Sequence, residues 1–218
     1  LLAVGIVRKP KGAARNAGAG NPGSASPLRL LANPVVWGAF LFFTFSSIAI
    51  SAVQNYTLPI LTATYDISSV AASTALSGYM VAGAIGMVMG GFLVSSSPHS
   101  ERIVGMSFIA AGFLLAVLAM GWLPAAAAVP GVALAGLCAG VAGPSRDMLV
   151  RRVTPRGSTG SVYGLVYSGM DTGSAVAPLA FGVLLDAGLR QGPYLGACLA
   201  FLLSAGFAAL IAARARRA

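Results

Sequence analysis

Charge and catalytic chemistry are what this sequence has least of. Of its 218 residues 9% are charged, with five acids, one histidine and two cysteines. So few charges cannot clothe a water-soluble surface of this size. The lone histidine, His99, has no second histidine for a metal pair, and it sits in the loop Ser95-Ser-Ser-Pro-His-Ser-Glu101. Cys138 and Cys198 fall inside apolar runs and read as small buried hydrophobes, which excludes a disulfide framework. No Gly-rich phosphate cradle precedes a helix, and no serine, histidine and acid share one end of the chain, so we expect no enzyme and no cofactor. The basic residues are not interleaved with aromatics, which argues against nucleic acid as a partner despite the net charge of +9.

What is abundant is apolar sequence. Hydrophobic residues make up 57% of the chain and mean hydropathy is +0.84. Six almost charge-free runs, at about 35–62, 67–95, 102–123, 124–145, 159–187 and 192–213, are each long enough to cross a hydrocarbon core of roughly 30 Å. They are continuously apolar and do not alternate, which indicates helices and excludes barrel strands. The expected fold is an all-α membrane protein, a six-transmembrane-helix bundle over 34–213. Leu1–Val7 reads as the end of an earlier, truncated span, residues 8–33 as a flexible Gly/Pro/Ser-rich basic linker, and 214–218 as a basic tail.

Lys and Arg fall in alternate connections: five in 8–33, then Arg102, then Arg146, Arg151, Arg152 and Arg156, then Arg214, Arg216 and Arg217, with Arg190 alone on the other side. The positive-inside rule makes those segments cytoplasmic, and an even number of spans returns the C-terminus to the side of the 8–33 linker.

Small residues at four-residue spacing mark where helices approach closely in lipid, where packing replaces the hydrophobic effect as the driver of association. The second run carries Gly78, Ala82, Gly86 and Gly90. The fourth carries Gly131, Ala135, Ala139 and Gly143 with Gly136 and Gly140 beside them, and the fifth Gly169, Gly173 and Ala177.

Within this apolar background one acid stands out. Asp171 lies about 22 Å of helical rise from the charges flanking its run, near a bilayer midplane. An ionised Asp there is disfavoured by about 2.5–3.5 kcal/mol, which makes it a candidate functional group. Gly164, Tyr167, Ser168, Ser174 and Pro178 share its helical face, while the Gly169/Gly173 stripe points about 200° away. No Lys, Arg or His lies in the interior of any of the six runs. Asp171 is therefore held neutral by desolvation, or paired with a cation outside this chain, or simply hydrogen-bonded to Tyr167 or a backbone carbonyl. In the first run Thr44, Ser47, Ser51, Gln54 and Asn55 form a second polar stripe, followed by Tyr56 and Pro59, whose missing hydrogen bond suits a gate. The hydroxyls read as bonding their own helix backbone; Gln54 and Asn55 are candidates to line a solute path or, alternatively, to glue helices together. Arg146 and Asp147, placed at the cytoplasmic end of the fourth run, are candidates for a gate or a simple anchoring ion pair.

These residues resemble the C-terminal half of a major facilitator superfamily transporter, helices seven to twelve. The most specific stretches are Gly143-Pro-Ser-Arg-Asp-Met-Leu-Val-Arg-Arg-Val-Thr-Pro155, Gly160-Ser-Val-Tyr-Gly164, Asp171-Thr-Gly-Ser-Ala-Val-Ala-Pro178 and Gly182-Val-Leu-Leu-Asp186, similar to the tenth and eleventh helices of bacterial members. The loop between the second and third runs departs from the family pattern, with Ser95 where an Asp is usual, so a charge relay at that loop is in doubt. The resemblance implies 3+3 inverted repeats and alternating access against a missing N-terminal six-helix half, with helices seven and ten lining the cavity and eight and eleven the cleft between halves. It also implies a small-molecule solute, proton coupling and a place in the bacterial plasma membrane. Asp171 is then expected to couple protons or touch solute, Tyr167 to support it, and Gln54 and Asn55 to hydrogen-bond the solute. The competing expectation is a non-transporting half-length fragment or a membrane partner subunit.

Overall fold

The computed structural model describes residues 34–96, 100–153 and 159–215. The expected earlier span at 1–7, the 8–33 linker, His99 and the end of the basic tail lie outside the described residues. Those described form α1 (Pro34–Tyr65), α2 (Ser69–Ser96), α3 (Ser100–Ala119), α4 (Ala125–Val153), α5 (Thr159–Asp186) and α6 (Gly192–Ala215). There is no strand among them.

The described connections are short, and local turn chemistry builds their ends. Ser68 caps α2 by accepting from the Ala71 N–H at 3.2 Å. Gly188, at φ 81°, closes α5 in a Schellman turn: the Leu189 N–H returns to the Leu184 carbonyl at 2.9 Å and the Gly188 N–H to Leu185 at 2.9 Å. Asp66 ends α1 in the same left-handed region, at φ 51°. Such tight turns make successive helices antiparallel.

Two features differ from the sequence reading. The fourth helix does not stop near 145 but continues through Pro144 to Val153. A proline removes only one helical hydrogen bond, and close neighbouring helices can carry the backbone past it. Arg146 thus lies on continuous helix, some seven residues, or about 10 Å, inside its end. Second, five helices are long and apolar enough to cross a membrane, and α5 is not among them. At about 42 Å it has ample length, but Tyr163, Ser168, Asp171, Thr172 and Ser174 dilute its apolar surface.

The packing order is α2–α4–α3–α6–α1–α5, so that α2 and α5 stand at the two ends, each leaning chiefly on one neighbour. Exchanging α1 with α4, α2 with α5 and α3 with α6 leaves the main packing partners unchanged. A pair of three-helix repeats facing opposite ways produces this symmetry.

Where α1, α3 and α6 meet, Phe42, Phe108 and Phe201 form a buried aromatic column, with ring centroids 6.1 Å and 4.8 Å apart. Two pairs of buried groups bond inside the bundle: Ser204 donates to the Phe42 carbonyl at 3.1 Å, and Thr57 meets the Tyr194 hydroxyl at 2.9 Å. The outer surface is the reverse of a soluble protein's. Trp122, Leu179 and Phe92 are 72–75% exposed along with many other large apolar side chains, which water would penalise and lipid accepts.

Candidate functional site

The fifth helix divides as its sequence suggests. Gly169 and Gly173 are buried against α1, and a Cβ at either would strike the backbone carbonyl of Phe40 or Thr44. Ala177 continues this buried stripe. Asp171 lies on the open side, exposed, and no described residue gives it a hydrogen bond or an ion partner.

The polar neighbours predicted for Asp171 are occupied elsewhere. Ser168 donates to its own helix at the Leu165 carbonyl, 2.7 Å away. Ser174 is 2.7 Å from Ser47, whose hydroxyl also donates to the Met170 carbonyl at 2.8 Å. Because Ser47 has a single proton, Ser174 is the donor in their shared bond. Tyr167 turns away from Asp171. Its ring packs on Tyr163 at 5.8 Å and Phe43 at 5.4 Å, and its hydroxyl lies within electrostatic reach of Asp147 and Arg146. On α1, Thr44 bonds its own helix at the Phe40 carbonyl, and Asn55 folds its amide nitrogen back onto the Ser51 carbonyl at 2.8 Å.

The glycines of α2 and α4 meet each other. Cβ atoms at Gly86 and Gly90 would strike the carbonyls of Leu137 and Val141, and Cβ atoms at Gly136 and Gly140 those of Tyr79 and Gly83. Gly78 is looser, with its nearest neighbour the Ala133 methyl at 3.4 Å.

Beside this seam lies a cavity of about 360 Å³ between α1, α2 and α4. Gln54 and Arg146 both line it, with Tyr79, Met80, Met87 and Phe108 among its walls. Side chains from two sequence stripes that had no evident connection therefore share one space, while Asn55 and Asp171 are outside it. The Arg146 side chain is only 17% exposed, and the Phe43 ring covers its guanidinium at 4.9 Å from the centroid. Its ion pair with Asp147 is long, 3.9 Å from Nε to Oδ1, and Asp147 is 54% exposed. Sequence reasoning missed Tyr79, a buried wall of this cavity; it lies beside the Gly78–Gly86 stripe with no polar periodicity to mark it.

The model of the Major Facilitator Superfamily matches residues 1–178 and 40–218. The chain belongs to this superfamily. Members of the family are membrane transporters, and the apolar helices and lipid-compatible surface of this chain agree with an integral membrane protein. Comparison with curated proteins found no match. The described helices, with no strand among them, agree with the membrane helical bundle of this family.

Proposed function

We propose that the chain is the C-terminal half of a secondary active transporter that moves a small organic solute by alternating access, coupled to protons through Asp171. One observation carries this reading: α5 is fastened to α1 by one face and presents Asp171, the acid at its middle, without a partner among the described residues, on the other. The two end helices of the packing order, α2 and α5, correspond to those that face the second half in this family, so Asp171 faces the cleft between halves. An acid in such a cleft changes surroundings as the halves rock, from water-accessible to enclosed, and its proton affinity changes with them. Gln54 and Asn55 offer amide contacts to the solute, and Tyr167 with Arg146 and Asp147 forms a contact that gates the basic end. In this reading the basic ends of α3, α4 and α6 and the 8–33 linker are cytoplasmic, and the membrane is the bacterial plasma membrane.

The test is flux through the full transporter reconstituted in proteoliposomes, with a pH-sensitive dye following solute-dependent proton movement. Asp171→Asn is expected to abolish proton movement while solute still exchanges. Unchanged coupling stoichiometry and pH dependence in this variant would defeat the assignment.

A further inference from the structure

The cavity between α1, α2 and α4 says something about the solute. The Arg146 guanidinium lies in it with one face against Phe43, and a cation–π contact leaves the in-plane N–H edge free. Nε is buried without a hydrogen-bond partner, and the Asp147 carboxylate at 3.9 Å is beyond hydrogen-bond reach. A guanidinium's donors match a carboxylate in a two-pronged geometry, and a buried cation whose ion pair is long and made to a half-exposed acid still attracts an anion strongly. Deeper along α1, eleven residues or about 16 Å of helical rise from Phe43, Gln54 supplies a neutral hydrogen-bonding group. The stretch between is apolar, with Ile50, Met80 and Met87 on its walls. At about 360 Å³ the space is at the small end of the range for organic ligands.

We propose that this cavity takes an organic anion with a small apolar body, its acid group paired to Arg146 and its far end against Gln54. The proposal rests on the transporter reading and narrows the solute class. Cationic solutes are disfavoured, because Arg146 would repel them.

The test is binding to the purified transporter in detergent, by calorimetry, with 4-hydroxybenzoate and 6-hydroxyhexanoate, whose far hydroxyl can meet Gln54, set against the corresponding amides. The acids are expected to bind about tenfold or more tighter than their amides, the strength of a charge-assisted hydrogen bond. Arg146→Gln is expected to erase that preference, and Arg146→Lys to keep part of it, which controls for a folding defect. Gln54→Leu is expected to weaken acid and amide alike. Equal binding of acid and amide, binding of neither, or an equal response to chloride or phosphate at matched ionic strength overturns the proposal. Because no flux is involved, the outcomes separate. Amide binding that depends on Gln54 leaves a transporter of neutral solutes, whereas acid binding by a protein that moves nothing overturns the transporter reading and keeps the site.

Discussion

The α2–α4 and α5–α1 contacts occupy equivalent places in the two repeats but are made differently. In both, a glycine pair four residues apart on the end helix presses against successive backbone carbonyls: Gly86 and Gly90 on Leu137 and Val141, Gly169 and Gly173 on Phe40 and Thr44. The replies differ. The fourth helix answers with its own glycines, Gly136 and Gly140, against Tyr79 and Gly83. The first helix has no glycine there and answers with hydroxyls, Ser47 to Met170 and Ser174, and Tyr56 to the Pro178 carbonyl at 2.7 Å. A seam of backbone on backbone has one register. A seam of hydroxyls can exchange partners by turning a rotamer, so the helix that carries Asp171 is held by the more adjustable of the two contacts.

The sharpest way to break the comparison is to fill the dry seam. Gly140→Val places a branched side chain where even a Cβ meets the Gly83 backbone, and backbone cannot yield as a side-chain tip can. A loss of about 3 kcal/mol or more is expected, read as a collapse of the thermal melt and of monodispersity in detergent. Gly173→Ala in the other seam also meets backbone, the Thr44 carbonyl, but is expected to cost less, about 1–2 kcal/mol, because it adds only a methyl and the hydroxyl bonds of Ser47 and Tyr56 can re-form after a small shift of α5. If Gly173→Ala is as damaging as Gly140→Ala in the same melt, the two seams are equally rigid and the contrast fails.

Removing a hydroxyl should be milder still. Ser47→Ala deletes both the Met170 and Ser174 bonds, and hydrogen bonds between membrane helices average about 0.6 kcal/mol, so a small drop in unfolding free energy is expected. A loss several times larger would show that Ser47 fixes α5 and does not merely adjust it.

How much of this was legible in the sequence follows from what kind of information each feature needs. The six helices, the glycine stripes and the opposition of Asp171 to Gly169/Gly173 depend only on apolar length and helical period, and a single segment contains both. The helix through Pro144 was misjudged because proline and nearby charge signal an end locally, while the neighbours that support the backbone come from elsewhere in the chain. Tyr167 shares a helical face with Asp171, yet its ring packs on Phe43 across helices, and periodicity carries no record of that alternative. The meeting of Gln54 and Arg146 at one cavity depends on how α1 and α4 sit beside α2, which no stripe on a single helix encodes.

The smallest expected effect on stability belongs to the residue with the largest proposed effect on function. Asp171 is exposed and makes no bond with the described residues, so Asp171→Asn removes nothing that either seam depends on. Its unfolding free energy is expected to stay within about 0.5 kcal/mol of wild type, measured by the same melt as the seam variants. Residues that hold a bundle together show their role when the protein falls apart; a residue kept on an open face against the cost of placing an acid in a membrane must be explained by what it does there. A melt shifted as far by Asp171→Asn as by Gly173→Ala would mean that the acid is structural, and that the open face of α5 is closed by something that binds it.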